Sequence, residues 1–283
     1  MTMKRQLVRG VIVLMVVGAL LGVNMTSAQV GGVVESSGQD GAIDWTKGVV
    51  TATGFGAPPP NAVNAAQARA MAERAAFLVA TRNLLETVKG IRVDSATLVE
   101  NMIVSSDVIK TEVSGFVQGA QIIKKQVSPD GSVMVTVAMK LTGDFANAFL
   151  PQSSGGGEVI PLQPGQAPPP TAFTGLIVDA RGTGVRPAVA PKLRNEEGRE
   201  VYGSAFVNRQ YAVEQGMVGY LKDVESAKAN PRVTDRPLLV KALKTDGPNK
   251  TDLVISNGDA QVLHGMKEHL NFLEKARVMV ILD

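Results

Sequence analysis

Residues 61–90, NAVNAAQARAMAERAAFLVATRNLLETVKG, decide the fold of this chain. The stretch has no proline, nearly all of its residues favour helix, and Gly90 stands where a glycine commonly ends one. At about 100° per residue, one stripe of this helix is apolar and is predicted to face a core. The stripe contains Val63, Ala70, Phe77, Leu84 and Val88, with Met71, Leu78 and Leu85 beside it.

The opposite side of the predicted helix also carries small or apolar residues. They are Ala65, Ala68, Ala72, Ala76 and Val79. A helix of this kind commonly lies between two layers, and small residues four apart let a second backbone approach closely. We therefore predict a candidate interaction face for a second helix or a second subunit. The alternative is an alanine-rich solvent surface that serves helix propensity alone.

The N-terminus has the three-part pattern of a secretory signal peptide. Basic residues within 1–9 precede an apolar segment at 10–23, and a small-residue sequence ends at Ala28. This pattern predicts a signal peptide over residues 1–28 that is cleaved before Gln29. An uncleaved membrane anchor is the alternative, although the apolar segment is shorter than the ~20 residues that span a bilayer. We expect a periplasmic protein, with secretion as the alternative.

Charge and cysteine content limit the functions and the chemical sites that the protein can have. The chain has 29 basic and 26 acidic residues, and the three excess basic residues lie in the predicted signal peptide. The mature chain is thus formally neutral, which does not favour nucleic-acid binding. The absence of cysteine excludes disulfides, thiolate metal ligands, cysteine nucleophiles and lipidation through an N-terminal cysteine.

Length and composition predict two domains. Residues 29–42 are rich in glycine and serine and are predicted to form a flexible tether. Residues 151–172 are rich in glycine and proline and are predicted to form a linker. These segments delimit a first domain at 43–150 and a second domain at 173–283.

Both domains are predicted to be α+β. In the first, a strand at 49–55 precedes the long helix, short helices follow between residues 94 and 116, and a hairpin joins strands at 121–127 and 132–141. The simplest packing places the long helix across one face of an antiparallel-rich sheet. In the second domain we predict strands at 174–182, 237–243, 252–256 and 277–282, a hairpin at 192–203, and helices at 211–229 and 257–275.

Few residues suggest chemistry. Asp179 follows an apolar strand, where acids of phosphotransfer and metal sites often lie, but no second acid stands at a useful spacing. The sequence RGTGVRP at 181–187 could contact an anion, although it lacks the lysine and full glycine pattern of a phosphate loop. The only histidines, His264 and His269, would diverge by about 140° on a helix, which does not suit a zinc pair.

The sequence therefore predicts no catalytic residue, cofactor, metal site or small-molecule substrate. A serine triad would need one of the two histidines, and no Gly-x-Ser-x-Gly elbow accompanies them. Four aromatic residues near predicted strand starts could form a carbohydrate-stacking surface, with an ordinary core role as the alternative. They are Trp45, Phe55, Phe173 and Tyr202.

Several segments of the first domain carry a family resemblance. They are Trp45, VVTATGFG at 49–56, AQARAMAERAAFLVATRNLLETVKGI at 66–91, VSGFVQGAQIIKKQ at 113–126 and VMVTVAMKL at 133–141. Together, over about residues 44–143, they resemble the Lpp-twenty-type lipoprotein domain family and are similar to the amino-terminal domain of flagellar assembly protein T. The chain departs from a lipoprotein in lacking the lipidation cysteine.

This resemblance implies a cell-envelope protein of Gram-negative bacteria that acts near the outer membrane by assembly rather than by catalysis. Some relatives form rings around the flagellar motor. Our leading hypothesis is an exported, non-enzymatic protein that self-associates or docks on a flagellar or another envelope complex. The alternatives are a periplasmic binding module for peptidoglycan or another envelope glycan, and a hydrolase centred on Asp179.

Overall fold

The computed structural model describes residues 32–151, 157–161 and 171–283. The predicted signal peptide and its cleavage site at Ala28 and Gln29 lie outside the described residues. The described part is mixed α+β, which confirms the predicted fold class. No helix in these ranges combines the length and the apolar character that crossing a membrane requires.

The N-terminal half contains five strands and four helices among the described residues. In chain order they are β1 (Val34–Ser37), β2 (Gly41–Asp44), β3 (Val49–Gly56), α1 (Ala65–Lys89), α2 (Val99–Ser105), α3 (Asp107–Gln118), β4 (Gln121–Val127), β5 (Val133–Lys140) and α4 (Asp144–Phe149). The strands form one antiparallel sheet in the order β1-β2-β3-β5-β4. The predicted long helix, short helices and hairpin are all present, and the Asn64 side chain caps the N-terminus of α1.

The predicted tether at 29–42 is wrong where the structure describes it. Residues 32–42 include β1 and the start of β2, which pair as a hairpin. Gly38 has a φ of 65° between the two strands, a conformation that glycine adopts without steric cost. Val33 and Ile43 are buried in the core. The glycine and serine content thus reflects a tight turn and an edge strand.

The second domain contains eight strands and four helices among the described residues. In chain order they are β6 (Gly175–Asp179), β7 (Leu193–Arg194), β8 (Glu200–Tyr202), α5 (Arg209–Gln215), β9 (Gly219–Leu221), α6 (Val224–Lys228), β10 (Pro237–Lys241), β11 (Lys244–Asp246), β12 (Asp252–Val254), α7 (Asn257–His264), α8 (Lys267–Glu274) and β13 (Val278–Ile281). A parallel sheet has the order β10-β6-β13-β9, and a mixed sheet has the order β11-β12-β7-β8.

Two predicted helices of this domain are wrong in extent. The helix expected at 211–229 ends at Gly216, which has a φ of 79°, and the chain continues through β9 before α6 begins. The helix expected at 257–275 is divided at Gly265 into α7 and α8. Helical spacing of apolar residues therefore continues across two breaks in the helix, one at Gly216 with its positive φ and one at Met266, whose backbone is extended.

The predicted linker at 151–172 is described only at Pro151, at 157–161 and from residue 171. In the middle piece Ile160 is buried, and its N–H donates to Nδ1 of His264 across 2.9 Å. The Gly157 N–H donates to the carbonyl oxygen of Ala205 across 3.3 Å. This piece is therefore packed against the second domain, contrary to the prediction of a flexible linker there.

The two halves of the described chain share one continuous hydrophobic core. At their junction, the rings of Trp45 and Tyr220 meet edge to face with centroids 5.8 Å apart. Backbone hydrogen bonds also cross the junction, from Ala190 to the carbonyl oxygen of Val93 across 2.7 Å. The halves thus hold each other through packing as well as hydrogen bonds.

Candidate functional site

The predicted interaction face on α1 lies partly inside the protein. Ala72 and Ala76 are fully buried, and α1 lies directly on β3 at Gly54 and Gly56. A Cβ atom added at Gly54 would stand 2.2 Å from the carbonyl oxygen of Ala76. The prediction that Ala72 and Ala76 face a partner is therefore wrong, because the small residues allow the helix and the strand to approach closely.

The remaining residues of that face differ in exposure. Ala65 and Val79 are exposed, and Ala68 is half-buried. Their role in a partner contact stays a prediction. The predicted core stripe is also only partly correct: Leu84 and Val88 are buried, whereas four of its members are exposed. The exposed four are Val63, Ala70, Met71 and Leu78.

Exposed apolar side chains also lie along β4, at the edge of the five-stranded sheet. All seven residues of this strand are exposed. Ile123 is the most exposed of its apolar residues, at 59% of its full area, and Ile122 and Val127 are exposed as well. Because β4 ends the strand order, its second side has no strand partner among the described residues. An edge of this kind offers unpaired backbone groups to another strand.

Irregular pairing and positive charge accompany this edge. The register between β4 and β5 shifts between Ile122 and Lys124. The Lys125 ammonium pairs with the Glu73 carboxylate on α1 across 2.8 Å. Lys124 makes no ion pair with any described residue. We name the strand from Gln121 to Val127, with these lysines, the β4 edge.

The face of the sheet remote from α1 continues this exposed surface. Phe55 of β3 is opposite Met134 of β5, and both side chains are exposed. Gln126 of β4 is in turn opposite Met134. Alternation along β3 explains the arrangement, because Gly54 and Gly56 turn toward α1 and Phe55 turns away.

Asp179 does not have the environment of a general acid. It ends β6 at the carboxyl edge of the parallel sheet, and Arg181 donates to it from Nε across 2.8 Å and from Nη2 across 2.7 Å. These hydrogen bonds hold the pKa of Asp179 below its ordinary value and so favour the carboxylate. Arg181, the first residue of the stretch predicted to contact an anion, thus pairs with this carboxylate of the protein itself.

The arginines of the loop at 181–187 are both engaged by carboxylates. Arg181 binds Asp179, and Nη2 of Arg186 donates to Glu35 across 2.9 Å. The Gly182 N–H donates to the Asp283 carboxylate across 3.0 Å. An incoming anion would therefore have to displace groups of the protein itself.

The two histidines and the aromatic residues have structural surroundings. His264 and His269 are buried, and each ring nitrogen contacts a backbone group. Within residues 32–151, 157–161 and 171–283, no cluster of three acidic or histidine side chains is placed to hold a metal ion. Trp45 and Tyr202 are buried, so the four aromatics do not form a common stacking surface.

Residues 175–283 match the family described as Treponema pallidum Tp0624, second domain. The match covers the parallel and mixed sheets from the first residue of β6 to the last residue of the chain. It supports a second domain with these boundaries. No curated protein matches the chain.

Proposed function

We propose that this chain is an exported, non-enzymatic cell-envelope protein that acts by docking, and that the β4 edge receives an extended segment of a partner protein. The observation that carries the proposal is the exposure of β4 along its whole length, with three exposed apolar side chains and an outer backbone edge that no described strand pairs with. The resemblance of residues 44–143 to the Lpp-twenty-type lipoprotein domain family supports an envelope role.

Docking at this edge would use the ordinary hydrogen-bonding pattern of a sheet. A partner segment in extended conformation would pair its backbone with β4, and its side chains would lie beside Ile122, Ile123 and Val127. The backbone pairing would provide affinity, and the side chains would provide specificity.

The charges favour a different protein over a second copy of this chain. Two copies of β4 paired antiparallel around Lys124 would bring like charges opposite each other, which is unfavourable. Lysines on an edge strand commonly oppose self-pairing in this way. A partner segment that carries aspartate or glutamate would instead place a carboxylate beside Lys124. We therefore propose an acidic extended segment as the occupant.

A carbodiimide cross-linking experiment on the envelope fraction of the source bacterium tests the docking site. The reagent joins a lysine amine directly to a carboxylate, so wild-type protein should give an adduct between Lys124 and an acidic segment of one partner. Ile123→Lys should abolish the adduct, because it puts a charge in the apolar contact. Lys124→Arg should keep binding and lose only the adduct at that position.

Val104→Lys is the matched control, since Val104 is an exposed aliphatic residue on α2. It should leave the adduct unchanged. An adduct that survives Ile123→Lys, or one that Val104→Lys also removes, contradicts docking at the β4 edge. A protein that sediments as a dimer through β4, with the dimer lost in Ile123→Lys, would replace the acidic partner by a second copy.

Export has its own test, which is independent of the docking site. Expression of the full chain in a Gram-negative host should place the protein in the periplasmic fraction with Gln29 as its first residue. A full-length protein retained in the membrane fraction would instead support the uncleaved anchor.

A further inference from the structure

The outer side of α1 carries a straight row of exposed apolar and basic side chains. Met71, Arg74, Leu78 and Arg82 follow one another at intervals of three or four residues, so they lie on one face of the helix. All four are exposed, Leu78 at 61% and Met71 at 46% of the full area. The row extends over roughly 16 Å along the helix axis, given the rise of about 1.5 Å per residue. We name these four residues the α1 ridge.

The α1 ridge carries two positive charges that the described residues do not neutralise. Arg74 and Arg82 have no ion pair or hydrogen bond with any described residue. The two acids of α1 are both engaged elsewhere: Glu73 pairs with Lys125 of β4, and Glu86 pairs with the lysine three residues after it, each across 2.8 Å. The ridge therefore suits a partner that offers negative charge along a line together with an apolar region.

A lipid surface fits this ridge better than another protein surface does. Pairing with the α1 ridge of a second copy, parallel or antiparallel, would bring arginines close to arginines, which is unfavourable. Because a helix is convex, a different protein would have to supply a groove lined with acids. A bilayer of anionic phospholipid offers phosphates in a plane above an apolar layer and needs no preformed groove.

We infer that the α1 ridge binds the surface of a bilayer that contains anionic phospholipid. Leu78 and Met71 enter the boundary between headgroups and acyl chains, where burial removes their apolar area from water. The guanidinium groups of Arg74 and Arg82 stay at the level of the headgroups and donate to phosphate oxygens. The bilayer thus lies on the side of α1 that faces away from the sheet. This contact does not depend on docking at the β4 edge.

Sedimentation with vesicles measures this binding. Residues 29–283 are used, because the apolar segment of the predicted signal peptide would itself bind lipid. At about 50 mM NaCl the fraction bound should rise with the concentration of phosphatidylglycerol vesicles, and at about 500 mM it should fall, because salt screens exposed charges. Vesicles of phosphatidylcholine, which has no net charge, should bind the protein at least about tenfold more weakly, since each basic residue near an anionic surface contributes about 1 kcal/mol.

Variants at exposed positions separate the two parts of the contact. Arg74→Gln and Arg82→Gln should each weaken binding to phosphatidylglycerol about fivefold, the equivalent of about 1 kcal/mol. Leu78→Gln keeps both charges but removes an apolar group, so it should weaken binding to both lipids. Arg69→Gln is the matched control, since Arg69 is an exposed arginine of α1 three residues before the buried Ala72, on the side of the helix that faces the sheet. It should change binding less than about twofold.

Circular dichroism should give the same spectrum for all four variants, because each altered side chain is exposed. Equal binding to both lipids, binding that salt does not weaken, or an Arg69→Gln variant as impaired as Arg74→Gln would each overturn the inference. No binding to phosphatidylglycerol would overturn it in favour of an acidic protein partner. A dimer in solution that Leu78→Gln dissociates would overturn it in favour of a second copy.

Discussion

Nε of Arg92 donates to the carbonyl oxygen of Pro187 across 2.8 Å and so joins the end of the α1 region to the second domain. The same guanidinium binds the carboxylate of Glu35 on β1. That carboxylate also accepts from Arg186 of the second domain across 2.9 Å and from the Trp45 indole across 3.2 Å. Glu35 thus links β1 to Arg92 and Trp45 of the first half and to Arg186 of the second half.

Glu35→Gln should therefore destabilise the protein. The substitution removes the charge opposite Arg92, which is buried, and leaves that guanidinium without its anion. We expect a loss of about 2 kcal/mol in the free energy of unfolding, measured by urea denaturation at neutral pH. Glu225→Gln, which alters only an exposed pair with Lys228, should change it little. Equal effects of the two variants would contradict the role of Glu35 at the junction.

The contribution of Glu35 should also depend on acidity. Burial alone would raise the pKa of this carboxyl, but hydrogen bonds from Arg92, Arg186 and Trp45 outweigh burial and hold the pKa below the ordinary value of 4.5. The folded protein thus binds this proton less readily than the unfolded chain does. The stabilisation is complete above about pH 4.5 and is lost as the pH falls below it. Unfolding free energies across this range should fall less steeply for Glu35→Gln than for wild type; parallel curves would contradict this.

Ala76→Leu should disrupt the fold rather than a partner contact. Ala76 is fully buried between α1 and β3, so a larger side chain has no space and overpacking costs about 1–3 kcal/mol or more. Circular dichroism during denaturation measures the loss. Ala70→Leu makes the same change at an exposed position of α1 and should have little effect. A stable Ala76→Leu protein would restore the interaction face at this position.

Gly54→Ala tests the same contact from the strand. An added Cβ would stand 2.2 Å from both the carbonyl oxygen of Ala76 and the N–H nitrogen of Ala80, so the helix would have to move. We expect destabilisation of about 1–3 kcal/mol. Gly115→Ala is the matched control, because its Cβ meets nothing within 4 Å on α3. It should stabilise the protein by about 0.5–1 kcal/mol through helix propensity, and thermal unfolding of both variants decides the comparison.

The features of the fold that depend on short-range sequence patterns could be predicted from the sequence. The predicted hairpin is one such feature: in β5 buried residues alternate with more exposed ones from Val133 to Met139, and Ser-Pro-Asp-Gly at 128–131 forms the turn before it. These features follow from residues close together in the chain. Helical periodicity predicts that the larger apolar residues of α1 face the core, whereas the structure also places Ala72, Ala76 and Ala80 there. Only the glycines of β3 show why small residues face the sheet.

The candidate sites depended on features that the sequence does not carry. Nothing in Gln121–Val127 shows that its strand ends the sheet, since strand order is a property of the whole fold. Glu35 and Arg186 are 151 residues apart in the chain, so their ion pair depends on how the two halves pack together. Residue types and spacing could not have predicted either arrangement without the packing of the two halves.

His264 should make the free energy of unfolding depend on pH in a higher range than Glu35 does. Burial lowers the pKa of His264, and the hydrogen bond to the carbonyl oxygen of Val201 offsets burial only in part. Since the Ile160 N–H donates to Nδ1, the neutral ring carries its proton on Nε2 and donates to Val201 across 2.8 Å. The unfolded chain binds the second proton more readily, so the stabilisation is complete above about pH 6.5 and is lost as the pH falls below it.

The unfolding free energy of the wild type should therefore decrease as the pH falls below about 6.5, and His264→Gln should be less stable with a flatter pH dependence in this range. Urea denaturation at several pH values measures both effects. Glu35→Gln is the control, because its own loss lies at lower pH and it should keep the slope of the wild type in this range. A slope that persists in His264→Gln would assign the pH dependence to another group.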